Sequence, residues 1–284
     1  MSVAARRRAT KPEGPASTRL AGSCLVVDQI GKSFLGPDGG TVVAIGNVSL
    51  DVAPGEFLAI VGPSGCGKST LLQVIAGLMM PSSGTVRLGE QDVTGEPAHM
   101  VYLFQQYSKS LLPWMTVANN VAFAFSHRLK LGSAAAEARC RDYLAMVGLA
   151  DFAAHYPWQL SGGMQQRVAI ARALAAEPQV LLMDEPFSSV DALTRLDLHA
   201  LILDLWTEKR FTAVLVTHDV DEAIFLADRV AVLTQRPAML SEVIETRLPR
   251  PRHSIETRES PDFLALRHRL LKYLLARNHG GTHG

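Results

Sequence analysis

The residues with the clearest chemical meaning form a short glycine-rich segment. Gly62, Gly67, Lys68 and Ser69 fit the pattern G-x-x-x-x-G-K-[ST], between an apolar run and a helix-like stretch. Glycines let the backbone bend tightly with its N–H groups turned inward, and a helix N-terminus adds partial positive charge. The segment therefore predicts a polyphosphate site. The alternative is an ordinary glycine turn, and the flanking strand and helix patterns argue against it.

Two side chains of this loop have separate predicted roles. The Lys68 ammonium would reach the β- and γ-phosphates of a nucleotide, and the Ser69 hydroxyl would ligate Mg²⁺. The remaining loop positions are predicted to contact the nucleotide, and they are Gly62, Pro63, Ser64, Gly65, Cys66, Gly67 and Thr70. We therefore expect a nucleotide bound together with Mg²⁺.

Two carboxylates follow a second apolar run, residues 180–183. Carboxylates at the end of a buried strand are costly unless they serve a cation or a proton transfer. We therefore predict that Asp184 holds Mg²⁺ and that Glu185 is the general base that polarises the attacking water.

A third apolar run, residues 213–217, ends at His218. Its strand should lie in the same sheet as the strand before Asp184, so that His218 faces the same edge and contacts the γ-phosphate as a neutral imidazole. Gln105 follows the apolar run 100–104 and is predicted to reach a ligand at this edge. The other eight histidines are interpreted as surface residues.

A second segment is also suited to phosphate. Ser161, Gly162 and Gly163 open a helix that should run through Ala176. Ser161 is an N-cap candidate, and the paired glycines leave the backbone N–H groups approachable. An ordinary helix cap explains the same residues, so this segment alone leaves both interpretations open.

Aromatic and apolar side chains at two places allow two interpretations each. Phe34 precedes a loop rich in Gly, Pro and Asp (36–40) and is either a core side chain or an open ring that stacks on adenine. Leu111, Leu112 and Trp114 lie in an apolar loop interrupted by proline. They are either core residues or, if exposed, a patch suited to a partner protein.

Size and charge restrict the class of protein. The 284 residues allow one large domain, or one domain with an inserted lobe and a tail. A net charge of +1 with 19% charged residues argues against a nucleic-acid partner. Cys24, Cys66 and Cys140 form no metal-like cluster, which favours free thiols in a reducing cytosol. No apolar run approaches about 18 residues, so we expect neither a membrane span nor a secretory signal.

The elements that must position these residues alternate between strands and helices. Residues 1–22 are expected to be a disordered leader, and residues 278–284 to be disordered as well. Further strands are expected at 25–27, 42–52, 85–88 and 229–234, and helices at 117–130, 134–147 and 192–209, with an amphipathic packing helix at 262–277.

Taken in this order, the motifs resemble the ATP-binding subunits of ABC transporters over about residues 25–240. The matches are Gly62–Ser69 to the Walker A element, Gln105 to the Q-loop, Leu160–Gln165 to the signature, Val180–Glu185 to Walker B, Ser188–Asp191 to the D-loop, His218 to the switch histidine and Phe34 to the A-loop aromatic. The resemblance implies an α/β P-loop NTPase fold with a RecA-like core, an antiparallel β subdomain and an inserted helical subdomain.

The same resemblance implies domain limits and a dimer. The ATPase domain would span 23–245, with the helical subdomain at about 106–176 and a C-terminal tail at 246–284. Two copies would pair head to tail around two MgATP, so that the signature of one chain closes over ATP held by the other. The implied cofactors are ATP and Mg²⁺, with catalytic residues Glu185, His218, Gln105 and Lys68, metal ligands Ser69, Gln105 and Asp184, and nucleotide contacts that add Phe34, Ser161, Gly162, Gly163, Gln165 and Asp191.

Three further stretches look like the importer branch for nitrate, aliphatic sulfonates and taurine, namely 105–108, 110–117 and 247–252. In that branch the apolar loop docks a helix of a separate membrane subunit. The resemblance thus implies a peripheral ATPase on the cytoplasmic face of the inner (plasma) membrane. Its partners would be permease subunits and, indirectly, a solute-binding protein, with no nucleic acid.

Two other classes of protein are alternatives to this one. A non-transport ABC ATPase acting on nucleic acid or the ribosome would carry coiled-coil insertions or tandem cassettes, and a non-hydrolysing regulatory module would lack Lys68 or Glu185. The sequence matches neither expectation. The transported solute is not readable, because other chains select it.

Overall fold

The computed structural model of this protein describes residues 25–106, 110–126 and 133–278. The predicted leader 1–22, Cys24, residues 107 and 108 of the importer-like stretch, the end of the predicted helix 117–130, and residues 279–284 lie outside these ranges, wholly or in part. Within them the chain forms two sheets, with helices packed around the larger one.

The larger sheet has six strands in the order β10-β9-β3-β8-β7-β6. Strands β6 to β9 and β3 run parallel, and β10 joins antiparallel at the edge. Because helices connect parallel strands and cover both faces, such strands are apolar throughout, and β3, β7 and β8 are buried at every position. The bounds are β3 Phe57–Val61, β6 Met100–Leu103, β7 Val180–Asp184, β8 Thr212–Val216, β9 Arg229–Leu233 and β10 Leu240–Glu245.

The smaller sheet is antiparallel, in the order β2-β1-β4-β5. Its buried side chains alternate with exposed ones in the second half of β2, as expected for a sheet with one solvated face. Its buried face shares one core cluster with helix α1 (Lys68–Ile75) and with one face of β3. The bounds are β1 Leu25–Leu35, β2 Thr41–Val52, β4 Ser83–Leu88 and β5 Gln91–Asp92.

The other described helices contribute to a second core cluster on the opposite face of the large sheet or pack beside it. Helix α4 packs against both α2 and α3, so these three helices form a lobe beside the sheet. The bounds are α2 Val117–Ser126, α3 Ser133–Met146, α4 Gly162–Ala175, α5 Ala192–Lys209, α6 Val220–Leu226, α7 Glu256–Glu259 and α8 Pro261–Asn278.

Most predicted elements are confirmed within one or two residues, and α5 matches its predicted range of 192–209. The first strand is an exception, since it is predicted at 25–27 but extends to Leu35 as β1. The architecture has the three parts that the resemblance implies, since a parallel core sheet, an antiparallel sheet and a helical lobe are all present. The domain limits themselves stay predictions. Among the described helices, none combines the length and the hydropathy that crossing a bilayer requires.

Some expectations about the C-terminal part are corrected. Asn278 was expected to be disordered but is the last residue of α8. The sequence predicts neither α7 nor the edge strands β5 and β10, because their residues are mostly half-buried or exposed and show no clear periodicity. The predicted packing helix is confirmed, since Phe263 and Leu270 of α8 are buried in the large core cluster.

Candidate active site

The glycine-rich loop joins the carboxyl end of β3 to α1. Gly67 has φ 118°, a left-handed conformation that side chains disfavour. A Cβ at Gly67 would also lie 3.2 Å from the carbonyl oxygen of Ala44 on β2. Gly67 is therefore required both by the turn and by the close approach of β2 beneath it.

The Lys68 side chain folds back along this loop. Lys68 is only 5% exposed, and its Nζ donates to the carbonyl oxygens of Gly62 at 2.9 Å and Pro63 at 3.0 Å. An ammonium group has three donors, so these bonds leave one for a ligand. The lysine thereby places a fixed positive charge at the loop.

Asp184 forms a small polar corner at the end of β7. Its Oδ1 accepts from the Ser69 hydroxyl at 2.8 Å, and its Oδ2 accepts from the Tyr102 hydroxyl at 2.8 Å. Burial, and then the Asp184 charge, raise the pKa of Tyr102, so that this phenol remains a donor. The corner brings a hydroxyl and a carboxylate oxygen together, as predicted for Ser69 and Asp184.

The oxygen atoms of Ser69 and Asp184 are suitable ligands for Mg²⁺. Magnesium prefers hard oxygen ligands and is held in nucleotide sites by one or two protein oxygens together with phosphate oxygens and water. The described residues contain no group of three or more His, Cys, Asp or Glu that could hold a metal by themselves. The Ser69–Asp184 corner therefore suits an ion that arrives with a nucleotide.

Glu185 and His218 meet at the neighbouring strand ends. Oε2 of Glu185 lies 2.9 Å from Nδ1 of His218 and accepts from Nε2 of Gln105 at 3.3 Å. The three residues follow β7, β8 and β6, so the parallel sheet brings them to one edge. The geometry fits a base held by two polar neighbours.

The backbone of Glu185 is itself unusual. It has φ 43°, which for a residue other than glycine costs on the order of 1–3 kcal/mol. Its N–H donates to Val216 at 2.9 Å, and its carbonyl oxygen accepts from the amide and hydroxyl of Ser188 at 3.2 and 2.9 Å. These bonds hold the strained conformation and fix the direction of the carboxylate.

Lys68, Ser69, Glu185 and His218 line one cleft of about 390 Å³, whereas Asp184 and Gln105 are not among its lining residues. Its walls come from the glycine-rich loop, the Glu185–His218 pair and one residue that the sequence analysis missed, Arg236. The lining residues are Ser64, Gly65, Gly67, Lys68, Ser69, Thr70, Glu185, His218 and Arg236. Loop residue Cys66 is buried beneath it, where desolvation raises the pKa of its thiol.

Arg236 reaches the cleft from the loop between β9 and β10. That loop is docked on β2, where Ala238 N–H donates to Ala44 and its carbonyl oxygen accepts from Gly46, each at 2.9 Å. No motif marks Arg236 or Tyr102, and only the strand order shows that they border the site. Basic and hydroxyl side chains close to strand ends are the weak signal that was available.

The signature-like segment does not contribute to this cleft. Ser161 caps α4, with its Oγ accepting from the amide of Met164 at 3.3 Å, and Gln165 Nε2 donates to Pro157 and Leu160 at 3.0 and 3.2 Å. Both thus serve the ordinary cap interpretation, while Ser161 and Gly162 remain exposed. Gly163 lies beside Thr194 at the start of α5.

Asp191 has a similar local role as the N-cap of α5. Its carboxylate accepts from the amide of Thr194 at 3.0 Å, and hydrogen bonding to Thr194 lowers the pKa of Asp191. A capping aspartate stabilises the helix start. Within the described chain, Asp191 is not among the residues that line the cleft.

The two open interpretations are partly resolved. Phe34 at the end of β1 is 40% exposed, with Lys32 Nζ 5.2 Å from its ring centroid, so it is no core residue and its adenine role stays a prediction. In the apolar loop Leu111 is buried and Leu112 is half-buried, whereas Trp114 is 71% exposed. The loop therefore supplies both a core anchor and an open aromatic.

One prediction about the histidines is wrong. His199 was interpreted as a surface residue, yet it is 2% exposed. It lies three and four residues before Ile202 and Leu203 on the inner face of α5. This helical spacing was the signal that could have identified it as buried.

Comparison with known proteins agrees with this geometry. A family model described as ABC transporter matches residues 45–188. A putative ATP-binding protein, BruAb2_1123 of Brucella abortus, is 48% identical over 233 residues, which cover 81% of this chain and 87% of that protein. The nitrate import ATP-binding protein NrtC of Synechocystis is 44% identical over 250 residues, covering 87% of this chain and 37% of that protein.

A solved structure matches as well. The dimeric structure of MJ0796, described as a bacterial ABC transporter cassette, has a TM-score of 0.70 at 32% identity and covers 78% of this chain and 99% of that one. The same cassette, in a post-hydrolysis state bound to ADP and Pi, gives a TM-score of 0.69. The chain described here therefore belongs to the ABC transporter family, as one of its ATP-hydrolysing cassettes.

Proposed function

We propose that this chain is the ATPase subunit of an import complex for nitrate, a sulfonate, taurine or a similar small anion. The observation that carries the enzymatic part is that Lys68, Ser69 and the Glu185–His218 pair line one cleft. Asp184 is bonded to the Ser69 hydroxyl at 2.8 Å. The import part rests on the likeness to the nitrate import protein NrtC and on the sequence of the importer-like stretches.

In the proposed mechanism the P-loop amides and Lys68 bind the phosphates of ATP. Mg²⁺, held by Ser69, Asp184 and Gln105, would supply charge neutralisation at the phosphates. Glu185 takes a proton from the attacking water, and its hydrogen bonds to Gln105 and His218 orient the carboxylate. Both the Glu185 carboxylate and a phosphate oxygen are acceptors, so His218 can bond Glu185 through Nδ1 and the γ-phosphate through Nε2 only as an imidazolium, in which both ring nitrogens donate.

Each site is completed by a second copy of the chain. The exposed start of α4 offers free backbone donors and the Ser161 hydroxyl, yet the cleft of the same chain does not use them. In a twofold dimer each chain can present this helix start to the cleft of the other. The dimeric MJ0796 cassette supports this arrangement.

The permease partner would dock on the apolar loop. Asn120 is buried under this loop and holds it, accepting from the Leu112 amide at 2.8 Å and donating to three carbonyl oxygens of the loop. The loop thus presents Trp114 on a rigid base, as aromatic anchors at interfaces are presented. We place this subunit at the cytoplasmic face of the plasma membrane, bound to permease subunits.

The test of this function is performed with the assembled complex. The chain is co-expressed with its membrane subunits and solute-binding protein, and ATP hydrolysis is measured with nitrate, taurine or an aliphatic sulfonate. Stimulation by one of these solutes supports the proposal, and stimulation only by a solute without an anionic group would contradict it.

A matched pair of variants tests the docking loop. We expect Trp114→Ala to reduce co-purification of the membrane subunits, because the interface loses a large aromatic anchor worth about 2 kcal/mol or more. Leu264→Ala, which truncates a similarly exposed apolar side chain on α8, is the control. Equal recovery of the complex with both variants would place the docking surface elsewhere.

A further inference from the structure

The buried His199 lies between the catalytic edge and the C-terminal tail. Its ring packs edge-on against Phe187, with ring centroids 4.9 Å apart, and Phe187 follows Glu185 by two residues. Its two nitrogens have different partners: Nε2 lies 3.2 Å from Oε1 of Glu222, and Nδ1 lies 3.0 Å from Nη2 of Arg258. His199 thus bridges α6 and α7.

The partners of His199 fix its tautomer. A guanidinium group can only donate, so Nδ1 accepts from Arg258 and carries no proton. The ring proton must then be on Nε2, which donates to Glu222. In this arrangement the His199 ring is neutral. It connects the Arg258 guanidinium to the Glu222 carboxylate through one hydrogen bond on each side.

Glu222 connects this ring to the residue before His218. Glu222 is 4% exposed, and its second oxygen accepts from the hydroxyl of Thr217, which is 1% exposed. Oγ1 of Thr217 in turn accepts from the amide of Asp219 at 3.0 Å. These bonds tie the residues on both sides of His218 to the same carboxylate.

Thr217 and Glu222 also lie next to Glu185 and His218 in space. A void of about 10 Å³ is bordered both by Thr217 and Glu222 and by Glu185 and His218. Arg195 faces the same void and forms an ion pair with Asp219 at 3.4 Å. Glu222 and Thr217 therefore border the same small space as Glu185 and His218.

The other end of the relay is anchored in the tail. Arg258 of α7 stacks on Phe225 of α6, with its guanidinium carbon 3.7 Å from the ring centroid, and donates to Ser254 at 2.7 Å. Burial lowers the pKa of Arg258, while the acidic side chains of Asp221, Asp219 and Glu222 oppose that shift. An arginine in such a setting remains a cationic donor.

We propose that the half-buried Arg258 and the buried His199 and Glu222 form a relay through which the C-terminal tail positions His218 against Glu185. The three are positioning residues, since none of them lines the cleft among the described residues. The inference rests on the proposed hydrolysis at Glu185 and His218 and is independent of the transported anion. It gives the tail a defined effect on turnover.

The test measures ATP hydrolysis by the full-length chain. We expect Arg258→Ala and His199→Leu to lower kcat about tenfold, the effect of a modest misplacement of a catalytic group, and to leave KM for ATP within about twofold. His199→Gln should recover most of this loss, because an amide can accept from Arg258 and donate to Glu222 as the imidazole does.

A second tail arginine provides the control. Arg267 of α8 pairs with Asp221 of α6 at 2.9 Å, on the surface and outside the relay. Arg267→Ala removes a contact between the tail and α6 and should leave kcat unchanged. Thermal unfolding of every variant is recorded, so that turnover is compared among folded proteins.

The outcomes separate this inference from the proposed function. Loss of kcat in Arg258→Ala with recovery in His199→Gln supports the relay. The relay is overturned if Arg258→Ala has the same kcat as the control Arg267→Ala. It is also overturned if His199→Gln loses as much kcat as His199→Leu. If His199→Leu does not fold, Arg258→Ala and His199→Gln decide. Should Glu185→Gln also hydrolyse ATP normally, the proposed site itself fails.

Discussion

The two segments suited to phosphate differ in how far their own chain uses them. The P-loop, residues 62–69, is fully ordered by contacts within its own chain. Lys68 is buried and bonded to Gly62 and Pro63, Cys66 is buried beneath the cleft, and other residues of the loop line the cleft. The start of α4 is capped by Ser161 but is exposed and borders no part of that cleft. The P-loop thus faces the cleft of its own chain, whereas the start of α4 is exposed and lies outside that cleft.

This difference teaches where the energy of nucleotide binding should be felt. The loop is already ordered, so ATP meets a preorganised wall there and little conformational entropy is lost. In the proposed dimer, the exposed helix start would make its contacts only when a second chain arrives. Binding should therefore depend on the P-loop, and association should depend on α4.

The largest expected effect separates binding from turnover. Glu185→Gln keeps the shape of the site but removes the base, so we expect hydrolysis to fall about 10²–10⁴-fold while ATP still binds. With turnover blocked, ATP and magnesium should hold the chain as a dimer in size-exclusion chromatography. A variant that binds ATP yet elutes as a monomer at every concentration would contradict the proposal that the start of α4 binds the nucleotide of a second chain.

A mixing experiment tests the comparison at the level of turnover. Lys68→Ala disables the P-loop, and Gly162→Asp places a negative charge at the start of α4. Each variant alone should therefore be inactive. In an equal mixture half of the dimers pair one of each and hold one intact site, which restores about a quarter of the wild-type rate if the sites act independently. Site-by-site hydrolysis within one chain predicts no recovery.

The smallest effect concerns thiol reactivity in the two segments. Burial raises the pKa of Cys66, so between pH 7 and 9 its thiolate fraction, and hence its alkylation rate, should stay below that of an exposed thiol introduced by Ser161→Cys. Both rates should rise with pH, because the thiolate is the nucleophile. Peptide mass spectrometry after iodoacetamide measures each rate, and faster labelling of Cys66 would contradict its buried position.

Nucleotide should affect these two thiols differently. In a Glu185→Gln background, ATP should protect Cys66 even in dilute protein, whereas protection at Ser161→Cys should require a protein concentration at which dimers form. Protection of both at the same dilution would mean that α4 meets nucleotide without a partner chain.

Much of the site could be predicted because most of its residues follow a local pattern. The P-loop spacing identified Lys68 and Ser69, and apolar runs identified Asp184 and His218 as residues at strand ends. These runs belong to buried parallel strands, whose carboxyl ends meet at one edge whatever the strand order. The strand order itself is not encoded locally, and this is why Tyr102 and Arg236 were missed.

The relay shows the same limit more clearly. His199, Glu222 and Arg258 lie on three different helices, and their partnership depends on how these helices pack. Single histidines are usually exposed, and that expectation outweighed the helical spacing of His199. The tail helix α7 has no strong pattern, so nothing in the sequence connected Arg258 to the catalytic edge.

The position of β3 in the large sheet has a consequence for the synthesis of the protein. β3 carries the P-loop, yet its two neighbours are β8 and β9, which are encoded about 150 and about 170 residues later. On the ribosome both edges of the P-loop strand therefore stay open until Val216 has left the exit tunnel, and one edge stays open until Leu233 has followed. During that interval it is exposed to wrong pairing, and a chain arrested before Arg229 should need chaperones rather than ATP to stay out of aggregates.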